Sequence, residues 1–216
     1  MSIEFYYASG SPYAWRAWFG LEHKHLAYDL RMMSFSAGDL KKPGYLVLNP
    51  RAKVPALNDD GYVLYESAAI LEYLDDAYPA SGYRLFPGDA RQRGVTRRLV
   101  READEYLAHA MEGLGDEILF KPAGQWDAQA ISRARAAFVG EIVHLQGALR
   151  GDFFSGEPGA ADFTIYPMLA LALRMQTKRP DLDIRSALGP TLDAWMKRLE
   201  ALPVYEKTYP PHWRAG

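Results

Sequence analysis

Three short stretches in the first third of the chain combine residue types that chemistry uses. Ser11-Pro12-Tyr13-Ala14-Trp15-Arg16 sets a hydroxyl at the start of a helix, since Ser is a favoured N-cap and Pro a favoured first helical residue. The amides and dipole of a helix start concentrate partial positive charge, which suits an anion or a thiolate. The same hexapeptide also describes an ordinary helix cap. Asn49-Pro50-Arg51-Ala52-Lys53-Val54-Pro55-Ala56-Leu57 places a Pro in a strand-like run. Pro lacks the amide of a central strand, so this stretch reads as an edge strand or as a cis-Pro bend. In the second case the Val54 backbone points outward, able to pair with an extended peptide. Glu66-Ser67 opens another helix. A carboxylate, a hydroxyl and helix-start amides can together hold the ammonium and carboxylate of an α-amino acid, although the dipeptide alone is also a plain helix start.

Other candidates have simpler accounts. Asp59-Asp60 belongs to a hairpin turn, and His23-Lys24-His25 reads as a solvated helix end with no third ligand nearby, so no metal is expected. Neither G-x-G-x-x-G nor G-x-x-x-x-G-K-[ST] occurs. The chain has no cysteine, which excludes a disulfide framework, a thiolate metal site and a cysteine nucleophile of its own. Sulfur chemistry must arrive with a ligand.

The elements that would position these residues fall into two halves. Ile3 to Tyr7 is short, β-branched and aromatic, and reads as a strand; Tyr28 to Met33 reads as a second. Trp15, Trp18 and Phe19 carry helical spacing after Ser11-Pro12, while Lys41 to Asn49 is polar and punctuated by Gly and Pro. Val54 to Leu57 and Tyr62 to Tyr65 flank Asn58-Asp59-Asp60-Gly61, a strong hairpin signal. Ser67 to Tyr78 has Ile70, Leu71, Leu74 and Tyr78 at helical spacing before Pro79. Residues 1–79 therefore read as a small α/β layer fold, and 80–89 as a turn-rich connector. Beyond it, Ala90–Gly113, Asp127–Leu149, Ala160–Met175 and Thr191–Leu202 predict an all-helical domain over 90–216.

Composition narrows the function classes. With 25 Lys+Arg against 27 Asp+Glu, the net charge of −2 argues against non-specific nucleic-acid or anionic-membrane binding. The 49% hydrophobic and 24% charged fractions are those of a globular chain. Met-Ser-Ile-Glu-Phe-Tyr-Tyr has no basic region followed by an apolar core, so no signal peptide is expected. The richest apolar run, Tyr166 to Leu173, stops at Arg174, far short of the roughly 18 residues that span a bilayer. A cytoplasmic location is expected.

Taken in order, these motifs resemble the cytosolic glutathione transferase family over nearly the whole chain. The resemblance continues through Gly156-Glu157-Pro158-Gly159-Ala160-Ala161-Asp162-Phe163, with Gly159 where the family usually has a capping Ser or Thr. It implies a thioredoxin-like N-terminal domain binding glutathione and a helical C-terminal domain shaping the electrophile site. By motif, Lys53 would face the glycyl carboxylate of glutathione, the Val54 main chain would pair with the cysteinyl unit beside a cis Val54-Pro55 bond, and Glu66 and Ser67 would hold the γ-glutamyl head group. Ser11, five residues before Arg16, falls where zeta-like and tau-like classes keep their activating Ser. Classes that use a Tyr late in the first strand make Tyr7 the runner-up, and Ser9 is a third candidate. Tyr13, Tyr106 and Trp126 are candidates for the electrophile pocket, where aromatic walls suit apolar substrates. The implied reaction is transfer of the glutathione thiolate to a hydrophobic electrophile, as in detoxification. Isomerisation, dehalogenation or ether cleavage on the same scaffold, and a non-catalytic binding module, stand as alternatives. The resemblance also implies a homodimer.

Overall fold

The protein is described by a computed structural model that covers residues 2–214. By contact it divides into two compact units, Met1–Pro87 with Leu202–Gly216, and Gly88–Ala201. Residues 202–214, expected with the helical half, group by contact with the first unit.

That unit is built on a four-stranded sheet. β1 (Ile3–Tyr7) is followed by helix α1 (Pro12–His23) and β2 (Tyr28–Met32); a short helix α2 (Pro43–Leu46) precedes β3 (Ala56–Asp59), β4 (Tyr62–Tyr65) and α3 (Ser67–Ala77). The strand order is β2-β1-β3-β4. β1 pairs parallel with β2, and β3 antiparallel with both β1 and β4. A parallel pair needs a crossover, which α1 supplies; an antiparallel pair needs only a tight turn. Asp60 and Gly61, both at positive φ, form that turn between β3 and β4, as the type I′ geometry of a two-residue hairpin requires. Alternation along β1 buries Ile3, Phe5 and Tyr7, while Trp15, Phe19, Ile70, Leu71 and Leu74 line the facing helices. Val54-Pro55 is cis. β3 begins just after it and lies inside the sheet, so its ladder never needs the missing Pro amide.

After α3, residues 80–87 fold against the end of α1. There the expected solvated terminus is corrected. Lys24 is 0% exposed with its Nζ 3.6 Å from Asp75 Oδ1, and Arg84 reaches Asp75 Oδ2 at 2.8 Å. The Leu85 amide also donates to Asp75 Oδ1, at 2.7 Å. His23 is buried too, and burial drops its imidazole to about 4. Asp59, assigned to the hairpin alone, accepts hydrogen bonds from the Tyr73 and Tyr78 hydroxyls.

The chain returns to this unit through α9 (Pro203–Thr208) and a 3₁₀ turn, Pro211–Trp213. Trp15 anchors the return. Its indole N–H donates to Thr208 Oγ1 at 3.0 Å, and its ring meets those of Tyr209 and Trp213 edge-on at 5.9 and 5.4 Å. Lys207 pairs with Glu22 at 3.0 Å.

The second unit is helical. α4 (Ala90–Glu102) runs through a π-helical turn, Ala103–Leu107, into α5 (Ala108–Ile118). α6 (Ala128–Ala148) is capped by Asp127, which accepts from the Gln129 and Ala130 amides. α7 (Ala160–Lys178) carries the core, including fully buried Phe163, Ile165 and Leu169. Gly159 caps it with backbone alone, and Asp162 reaches back to the Gly159 N–H at 3.2 Å while accepting from the Trp195 indole at 2.8 Å. α8 (Ile184–Glu200) starts earlier than expected because it crosses a break at Gly189-Pro190. The Gln146 side chain donates to the Ala187 and Leu188 carbonyls that the break leaves without helical partners. No described helix is long and apolar enough to cross a membrane.

Candidate functional site

The end of β1 and the start of α1 enclose a small open cleft, about 170 Å³ of empty volume, lined by Tyr7, Ala8, Ser9, Gly10, Ser11, Trp15, Trp18, Thr208 and Pro210. All three residues named as thiol activators border it. Ser11 has extended backbone (φ −71°, ψ 119°) and is the N-cap of α1, its Oγ accepting from the Ala14 amide at 3.3 Å. Because that contact uses a lone pair, the hydroxyl proton remains to be donated. Proline at the first helical position completes the start of α1.

Tyr7 is set differently. Its ring packs 4.8 Å from that of Trp18, and burial raises its phenol above the ordinary range. A phenol made less acidic by burial is held in its neutral form. Ser9 Oγ lies 2.6 Å from His212 Nδ1, a contact across 203 residues of chain.

The remaining predicted residues sit in two further segments of the same unit. The loop before β3 is pinned by its backbone: the Lys53 carbonyl accepts from Tyr45 Oη at 2.6 Å and from Asn49 Nδ2 at 2.8 Å. That leaves the Lys53 side chain exposed, with Val54 and Pro55 buried beside it. At the start of α3, Glu66 is exposed and adopts φ 70°, ψ 105°, a conformation L-residues avoid and one found most often at functional sites. Ser67 is 3% exposed, and its Oγ accepts from Arg16 Nε at 2.8 Å. Arg16 thus ties α3 to α1, with its guanidinium 5.6 Å from the Tyr13 ring centre.

The three aromatic candidates are divided between the two units. Tyr13 belongs to the first unit, Tyr106 and Trp126 to the second. Tyr106 projects from the π-helical turn with 57% exposure. Trp126 is engaged within its own unit, donating to the Lys121 carbonyl at 3.2 Å with the Arg179 guanidinium 5.6 Å from its ring. Among the described residues no group of three or more His, Asp or Glu is arranged to hold a metal ion.

Comparison with known proteins fits this geometry. The family model for the glutathione S-transferase N-terminal domain matches residues 10–77, and that for the C-terminal domain matches residues 128–198. A maleylacetoacetate isomerase of Pseudomonas aeruginosa is 30% identical over 97% of this chain and 96% of its own. The chain belongs to the cytosolic glutathione S-transferase family. A glutathione S-transferase from the Antarctic clam Laternula elliptica superposes with a TM-score of 0.82 at 28% identity, covering 100% of this chain and 95% of that one. A theta class glutathione S-transferase from Xanthomonas axonopodis pv. citri, solved with glutathione bound, gives 0.82 at 26% identity over 96% of both chains.

Sequence reasoning missed Tyr45 and Asn49 as braces of the Lys53 loop, and His212 behind Ser9. Asn49 carried a local signal, since its Oδ1 also accepts from the Arg51 amide in a turn. His212 carried none.

Proposed function

We propose that the protein is a glutathione S-transferase whose Ser11 stabilises the glutathione sulfur as a thiolate for attack on a small hydrophobic electrophile. The observation that carries this reading is the cap geometry: Ser11 borders the cleft with its oxygen engaged by the Ala14 amide and its proton available. A thiol has an ordinary pKa near 8.5, so only a few per cent is ionised at neutral pH. Lowering it by about two units corresponds to about 2.7 kcal/mol and makes the thiolate the major form. A hydroxyl donor and the amides of a helix start both favour the charged sulfur. In this reading Lys53 meets the glycyl carboxylate, the Val54 main chain pairs with the cysteinyl unit, and Glu66 and Ser67 hold the γ-glutamyl group. Tyr13, Tyr106 and Trp126 are assigned to the electrophile side. A cytoplasmic detoxification role and a homodimeric state complete the proposal.

Retention on immobilised glutathione, followed by turnover of a generic aryl halide, tests the activity. Replacing Ser11→Ala is expected to cut conjugation about 10- to 1000-fold while glutathione still binds. Thiolate absorbance of the bound complex separates the candidates: if it survives in Ser11→Ala and vanishes in Tyr7→Phe, the role passes to Tyr7. A second reading, glutathione-dependent isomerisation, is favoured by the Pseudomonas isomerase at 30% identity, and turnover of maleylacetoacetate distinguishes it.

A further inference from the structure

The contact between Ser9 and His212 has no part in the reading above, yet the loop is shaped to receive it. Gly10 has φ +85°, and a Cβ built there would lie 2.5 Å from His212 Cε1 and 3.1 Å from Trp213 Nε1. Only glycine permits both that backbone and that approach. Ser9 borders the cleft, and Thr208 and Pro210, from the segment that carries His212, border it as well. His212 itself stands behind Ser9, with its side chain exposed to solvent.

We propose that Ser9 and His212 form a proton relay that takes the proton from the glutathione thiol, with Ser9 touching the sulfur and His212 acting through it. This rests on the reading of the cleft as a thiol site. Before transfer, the thiol donates to Ser9 Oγ and the Ser9 hydroxyl donates to Nδ1 of a neutral imidazole. The S–H bond breaks as an O–H bond forms at Ser9, while the original Ser9 O–H bond breaks as an N–H bond forms at Nδ1. The sulfur keeps its electron pair. A thiol and a neutral ring become a thiolate and an imidazolium, and this pair, bridged by Ser9, holds the thiolate at lower pH. Both states keep the 2.6 Å contact, since the hydroxyl only reverses its donor direction. Afterwards Ser9 donates to the thiolate beside Ser11. An imidazole is suited to this role because its ordinary pKa of about 6.5 lies near working pH.

Among the described residues, charged groups of the same unit have partners of their own. On its own segment Arg214 pairs with Glu206, and Lys207 pairs with Glu22 of α1. Arg16 of α1 is turned to Ser67, and Tyr7 on β1 is held neutral by burial.

The test is a pH titration of thiolate absorbance in the glutathione complex of the full chain, with pH profiles of conjugation, for wild type, His212→Gln and Ser9→Ala. Gln preserves a hydrogen bond to Ser9 but cannot accept the proton, so a purely structural His212 predicts no change. The relay predicts that the midpoint of thiolate formation rises by about one pH unit in both variants, with conjugation near pH 6.5 falling about tenfold and glutathione affinity kept. An unshifted midpoint in folded His212→Gln overturns the relay, and an unshifted Ser9→Ala does so even if His212→Gln fails to fold. Loss of thiolate in Ser11→Ala with both other variants unchanged overturns the relay alone. Failure of the wild type to bind glutathione overturns the relay and the proposed function together.

Discussion

Ser67 carries two loads, and they separate by measurement. Its hydroxyl is the acceptor for Arg16, a guanidinium 3% exposed, and it is also assigned to the γ-glutamyl head group. Ser67→Ala removes one acceptor from a buried guanidinium, which costs about 1–3 kcal/mol, so its thermal midpoint should fall along with its glutathione affinity. Glu66→Ala removes an exposed carboxylate and should weaken binding alone, raising the KM for glutathione with little change in kcat. Calorimetric titration and thermal melts of the two variants check this; wild-type affinity in both removes the pair from the site. At this scale the sequence was legible where chemistry is local. Ser11 announces itself because a cap is decided within three or four residues. Arg16's acceptor lies 51 residues away and the partner of Ser9 lies 203 away, and no spacing rule spans such gaps.

Among the elements, the junction of α1, α3 and residues 80–87 turns on one carboxylate. Asp75 faces Lys24 and Arg84 and accepts the Leu85 amide. Asp75→Ala strands a buried ammonium and should cost about 3–5 kcal/mol, measured by urea unfolding; a loss below 1 kcal/mol contradicts this. His23, its imidazole depressed to about 4, is neutral when folded and protonates more readily when unfolded. Its contribution is complete above about pH 6.5 and is lost as the pH falls toward 4. Asp162 works in the opposite sense. Burial raises its carboxyl to about 6, against four hydrogen bonds that pull it down. The folded state therefore holds that proton more tightly, and the contribution is present below about pH 3.8 and lost as the pH rises through 6. Two pH units at about 1.4 kcal/mol each give about 3 kcal/mol. Wild type should gain that much on Asp162→Asn between pH 7 and pH 4, in equilibrium unfolding followed across the range. The strands and the long helices were readable because periodicity and turn residues agree along β1, the β3–β4 hairpin and α7. The start of α8 was not, because Gly189-Pro190 reads as a stop and its remedy, the Gln146 side chain, comes from another helix.

For the whole molecule, the homodimer is the proposal that a single measurement decides. Sedimentation at micromolar concentration should give a species of about twice 24.3 kDa, whereas one near 24.3 kDa contradicts it. A two-fold dimer would place the same patch of each subunit against its own copy. The halves of the chain were visible in the disappearance of strand signals after residue 89, but the return of the last segment was not, since Pro203–Thr208 is too short for a periodic signal. That return has a consequence for how the protein is made. A ribosome releases the chain from its N-terminus, so the sheet, α1 and α3 leave it long before Thr208 and Pro210. Until they arrive, Trp15 has neither its Thr208 hydroxyl nor the rings of Tyr209 and Trp213, and the cleft has only one wall. The nascent first unit must therefore wait with an indole uncovered while 114 residues of the other unit, 88–201, are synthesised. The cleft is among the first parts of the molecule to be translated and among the last to be finished.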